Sequence, residues 1–177
     1  MNSIPLTRLE SLVDELLHKL DIQNASQIDL EYIASSLGVG FTYASCKSMA
    51  FLEKRFVIID ERLQPLEQRE DFAHELCHIL IHTGSQLNLP DMLIKLQEAQ
   101  ANKMAMHLLV PTRFLIEVIE SGLHHHVTLS YHFRVTPFFM KRRLEIFKQK
   151  LQQIQYQKRL TSTLAHPPTF RREDSCV

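Results

Sequence analysis

A chain of 177 residues has room for one domain, or for one domain with an appendage. Apolar residues make up 45%, enough for a real core, and a formal net charge of zero gives the chain as a whole no bias toward nucleic acid. Three cysteines without a spacing pattern exclude a disulfide framework, and no apolar run reaches the roughly 18 residues of a membrane span, so a soluble, cytoplasmic protein is expected.

Leucines at 6, 9, 12, 16, 17 and 20 predict an amphipathic N-terminal helix without the apolar core of a signal peptide. A short helix follows from an Asp29 cap to Leu37, closed by Gly38. Val39–Ser45 and Arg55–Asp60 are rich in β-branched and aromatic residues and predict a small antiparallel meander of two or three strands, with Met49–Glu53 between them. Pro65 opens a helix expected to end near Thr83 and Gly84. After a polar loop a long helix runs from Asp91 to Leu109, where Pro111 stops it. Thr112 then caps a short helix ending at Ser121 and Gly122, and Thr128–Phe133 makes another. Thr136 and Pro137 start a last helix expected to reach about Arg159. Low glycine content and helical spacing give the fold class: α+β, mainly helical, with a small antiparallel sheet and a helical C-terminal part. The expected organisation is a core over 1–122, a helical segment packing on it over 123–160, and a poorly ordered tail over 161–177.

The chemistry concentrates in His74-Glu75-Leu76-Cys77-His78. Four residues along a helix advance it by about 6 Å, so the two imidazoles lean over one face and their nitrogens can converge on one ion. Glu75 projects beside a bound water, where a carboxylate can take a proton and return it to a leaving amine. A catalytic zinc site needs a third protein ligand. Glu98, on the long helix that must return beside this one, is the best candidate. Ala101 and Ala105 share its face and allow close approach, and Asn102 is placed to hydrogen-bond the Glu98 carboxylate or a ligating imidazole. His82 lies about 12 Å along the axis from His74, too far to share its ion, and reads as a packing or supporting residue. Tyr131, His132 and Arg134 are candidate donors to the oxyanion or contacts to substrate.

Asp71-Phe-Ala-His-Glu-Leu-Cys-His-Ile-Leu-Ile-His82, then Glu98-Ala-Gln-Ala-Asn-Lys-Met-Ala105, then Leu108-Leu-Val-Pro111 resembles the ImmA/IrrE family of metallo-endopeptidases of bacterial mobile elements, prophages and stress responses. The resemblance spans about residues 25–150. It implies a zincin-like core, one Zn2+ per chain held by His74, His78 and Glu98, and Glu75 as catalytic base. It also implies a protein substrate, a DNA-binding repressor whose cleavage derepresses mobile-element or stress genes. The family usually has Gly where this chain has Cys77, and Phe where it has Met104.

The competing reading is a DNA-binding transcriptional regulator with a metal site. Residues 129–144 resemble a helix-turn-helix, and residues 140–177 hold nine Lys/Arg against three Asp/Glu. Against it, Pro137, Phe138 and Phe139 occupy the end of the second helix where base-reading polar residues belong. Lys141, Arg142, Arg143, Lys148 and Lys150 are therefore expected to recognise a protein substrate or pack on the core, so direct, specific nucleic-acid binding is not expected. Substrate is expected in extended form along a sheet edge beside Arg55–Asp60.

Overall fold

The computed structural model describes residues 4–82 and 89–165. Seven α-helices and a three-stranded sheet follow in the order α1 (Arg8–Lys19), a 3-10 turn (Ala25–Gln27), α2 (Leu30–Ser36), β1 (Gly40–Ala44), β2 (Met49–Phe51), β3 (Phe56–Asp60), α3 (Pro65–Ile81), α4 (Asp91–Leu109), α5 (Thr112–Glu120), α6 (His126–Phe133) and α7 (Pro137–Ala165). No helix among the described residues is long and apolar enough to cross a membrane. The chain forms two compact units, Met1–Arg143 and Leu144–Val177. The first holds everything up to the opening turns of α7, and the second is described over the rest of that helix.

The helix starts follow local chemistry. Thr7 caps α1 in a reciprocal box with Glu10, Asp29 caps α2 through the Tyr32 amide, and Pro65 occupies the first turn of α3. Gly38 ends α2 at a left-handed φ of 66°, which glycine adopts without strain. α7 continues to Ala165, past the expected end near Arg159. The expected tail otherwise lies outside the described residues; α3 ends at Ile81 with His82 as its cap, while Thr83 and Gly84, where its end was expected, lie outside them.

The sheet departs from the expected meander. Its order is β1-β3-β2; β2 pairs with β3 antiparallel, but β1 pairs with β3 in parallel. β3 is the most apolar strand and buries Val57 and Ile59 completely. It gains most from a neighbour on each side and takes the centre, leaving the more polar β1 and the short β2 at the edges. Close pairing of β1 depends on Gly40, because a Cβ there would lie 2.6 Å from the Phe56 ring.

The core gathers Leu17, Ile33, Ile59, Leu76, Leu108, Leu115 and Leu129. A buried polar relay ties the helices together beside it. Arg143, fully buried, donates to the Val110 carbonyl at 3.0 Å and to the Thr112 hydroxyl at 2.8 Å. That hydroxyl donates to Glu10 at 2.5 Å, and Glu10 also accepts the Thr7 amide. Burial lowers the Arg143 pKa to about 10, so the guanidinium stays charged at neutral pH. Arg143 is thus an internal strut and not part of a basic surface.

Candidate active site

α3 and α4 pack against each other, and Ala101 and Ala105, which share the Glu98 face of α4, are small and buried. Cys77 is fully buried, and burial pushes its thiol up, away from the reactive thiolate. Close approach sets Glu98 against the histidine pair. His74 Nε2 and His78 Nε2 lie 3.0 Å apart, and the Glu98 oxygens lie 3.3 Å from each. A tetrahedral zinc ion with donors at about 2.0–2.1 Å requires donors roughly 3.3–3.4 Å apart. Two imidazoles and one carboxylate, with edges of 3.0–3.3 Å, fit such an ion and leave a fourth position for water or substrate. Burial, and then His74 beside it, lower the His78 pKa to about 4, so this imidazole is neutral at pH 7 with a lone pair for an ion.

These three residues line one wall of a cavity of about 520 Å³. Glu75 lines it too. Burial raises the Glu75 pKa to about 7, with Asp71 and Glu98 adding repulsion, while Lys47 and a hydrogen bond with the backbone of Ala50 act in the opposite direction. A carboxyl group balanced near neutrality suits proton transfer in both directions.

The other expected site residues are placed differently from one another. Asn102 lines the cavity, but its amide donates to the Glu98 main-chain carbonyl at 2.8 Å and not to the carboxylate. His82 caps the end of α3, buried, with Nε2 3.1 Å from the Gln97 carbonyl of α4. Tyr131, His132 and Arg134 are not among the lining residues. Tyr131 is exposed, the His132 ring packs on Phe133, and Arg134 takes a left-handed conformation that ends α6. The expected donor role of these three therefore finds no support in the lining of this cavity.

The expected docking edge is corrected as well. Arg55–Asp60 contains the central strand and is paired on both sides. The outer strand at the cavity is β2, which contributes Met49 and Ala50, flanked by Lys47, Ser48 and Leu52. Glu70, Asp71, Met106, Phe138 and Phe139 are lining residues that sequence reasoning did not place, and they are joined by Ala105 and by Arg142, which was expected to recognise a protein substrate or pack on the core. Glu70 had a readable signal, since it lies one helical turn before His74 on the same face. The place of α7 on this wall had none, because it depends on a contact distant in sequence.

A family model for the peptidase family Peptidase_M78, described as the IrrE N-terminal-like domain, matches residues 25–145. The phage-like element PBSX protein XkdA of Bacillus subtilis (strain 168) is 34% identical over 165 residues, which covers 91% of this chain and 83% of that protein. The protein YqaB of the same strain is 30% identical, covering 91% and 96%. Among solved structures, a Mycobacterium tuberculosis transcriptional regulator superposes with a TM-score of 0.59 at 15% identity, over 78% of this chain and 47% of that one. That likeness is one of fold, and the chain spans about half the length of that regulator.

Proposed function

The chain belongs to the Peptidase_M78 family, and on that footing we propose that it is a zinc-dependent endopeptidase that cleaves a repressor-type regulator protein. In this reading His74, His78 and Glu98 hold the ion and Glu75 is the general base. Peptidases of this family are zinc-dependent. The observation that carries the reading is the His74–His78–Glu98 triangle, with its 3.0–3.3 Å edges, opening on the cavity that Glu75 also lines.

A zinc ion held there supplies Lewis acidity and lowers the pKa of water. Glu75 takes a proton from water as its oxygen attacks the scissile carbonyl carbon, and gives that proton to the amide nitrogen as the C–N bond breaks. Burial and the neighbouring Asp71 and Glu98 raise its affinity for that proton above that of an ordinary carboxylate. The outer edge of β2 borders the cavity, and an extended peptide adding there would have its backbone fixed while its side chains stay loosely constrained. The cleaved segment of the target would then be a loop or an unfolded stretch.

The regulator substrate is supported by the phage-like element to which one relative's name assigns it. The DNA-binder alternative loses support from α7, whose first turns line the cavity through Phe138, Phe139 and Arg142, where a recognition helix would have to enter DNA. The deciding experiment measures zinc content and cleavage of a candidate repressor by wild type and by Glu75→Gln. Zinc in both proteins, with cleavage by wild type alone, is expected. Cleavage by both at similar rates would overturn the role of Glu75, and no zinc in either would overturn the reading as a whole.

A further inference from the structure

We infer that Arg142 and Phe138 form a substrate-selecting subsite of this cavity, one that favours an acidic side chain next to an apolar one; the inference rests on the peptidase reading above. The two residues are one helical turn apart on α7 and both line the cavity. The Arg142 guanidinium lies 5.9 Å from the centre of the Phe138 ring. Phe138 is 70% exposed, whereas Phe139 beside it is 9% exposed, so the first phenyl ring is open to solvent while the second is packed. Among the described residues no carboxylate lies within ion-pairing distance of Arg142. The guanidiniums of Arg62 and Arg113 are paired with Asp60 and Asp14, and that of Arg143 is spent on Thr112 and Val110.

The sign of the preferred charge follows from the Arg142 guanidinium itself, beside the Phe138 ring. Of the lining carboxylates, Glu98 lies against His74 and His78, and Glu70 accepts from Thr136, so neither engages Arg142. Lys47 and Arg142 are cationic residues of the lining, and Arg142 is the one beside the exposed Phe138 ring. A planar guanidinium presents paired donors to a carboxylate, and the ring beside it offers apolar area at small cost in side-chain freedom. The subsite is also held in place. Thr136 caps α7 through the Phe139 amide and is itself bonded to Glu70 of α3, so the turn that carries both residues is fixed relative to the helix of His74.

The test presents position-scanned peptides, in which Asp, Asn or Lys adjoins Leu or Phe, to the full zinc-loaded chain. Binding by fluorescence anisotropy and cleavage are both read for wild type, Arg142→Gln, Arg142→Glu and Phe138→Ala. Wild type is expected to favour Asp over Lys by about three- to tenfold in affinity and KM at one position, with kcat nearly constant, as for a partly exposed charge pair. Arg142→Gln should erase that preference, Arg142→Glu should reverse it, and Phe138→Ala should weaken all peptides with an apolar neighbour. Both arginine variants replace an exposed side chain, and unchanged zinc content and Tm will show that the fold is intact. The same order of preference in Arg142→Glu as in wild type, or no preference in wild type, overturns the inference. Charge-selective binding without cleavage would sink the peptidase reading and leave the subsite standing. Cleavage without charge preference would do the reverse.

Discussion

Glu70 reaches from α3 to the start of α7, where one carboxylate oxygen accepts the Thr136 amide at 2.5 Å and the other lies 3.3 Å from its hydroxyl. The carboxylate sits where the positive end of a helix dipole favours it, one turn before His74. Burial pushes its pKa above the usual carboxylate range, and the two Thr136 bonds pull the other way. A charged hydrogen bond partly offset by desolvation leaves a net contribution of about 1–2 kcal/mol. Glu70→Ala is therefore expected to lower stability by that amount and to raise KM several-fold while zinc content holds. Glu70→Gln, whose carbonyl still accepts the amide, should recover much of both. Urea titration and KM against kcat check this. If Ala, Gln and wild type agree in both, the clamp has no role.

Removal of Glu98 tests the ion. Structural zinc sites bind with about 10–16 kcal/mol in total, so each donor accounts for roughly 3 kcal/mol, or about a hundredfold in affinity. Glu98→Ala should lose most of its zinc in a buffer of controlled low free zinc. Chelation of wild type should lower Tm, because the ion binds only the folded chain. Full zinc retention by Glu98→Ala would rule out Glu98 as a ligand.

Glu75→Gln removes the proton carrier and keeps its volume. Activity is expected to fall by about 10²–10⁴-fold. Zinc content should not change. Stability should hold or rise slightly, because the carboxyl is disfavoured by burial and by repulsion from Asp71 and Glu98. A large fall in Tm would mean that Glu75 is a structural residue.

The parts of this molecule legible from sequence are those that depend on a single helix. His74 and His78 converge through helical geometry alone, and Glu98 follows once α3 and α4 are known to be antiparallel neighbours with alanines between them. Sheet order was not legible, because alternation reveals a strand but not its neighbours. β3 took the centre by burying both flanks, which also moved the docking edge from Arg55–Asp60 to β2. The α7 wall was hidden for a related reason. Its anchor is a backbone amide 66 residues from Glu70, and an amide carries no signature in a sequence. Tyr131, His132 and Arg134 drew attention by residue type, but the left-handed Arg134 ends α6, and none of the three lines the cavity.

The last prediction separates a basic composition from a DNA-reading surface. Arg143 lies in the run Lys141-Arg142-Arg143 and would count toward a phosphate-binding patch, yet it is fully buried against Val110 and Thr112. Arg143→Ala would leave the Thr112–Glu10 pair without its cation, a loss of about 3–5 kcal/mol for a buried charged contact. It should therefore destabilise the fold with no separate effect on DNA affinity. Arg142 and Lys141 are exposed and can meet phosphates, but phosphate contacts carry no sequence information and weaken steeply with salt. Base reading needs polar side chains at the front of the helix, and that position holds Phe138 and Phe139 on the cavity wall. At about 150 mM salt, where exposed charges are screened within about 8 Å, operator and scrambled duplexes should bind weakly and within about twofold of each other. Tight binding that tells the two duplexes apart, and that is lost in Arg142→Gln at unchanged Tm, would make α7 a recognition helix and displace the substrate-selecting role argued for its first turns.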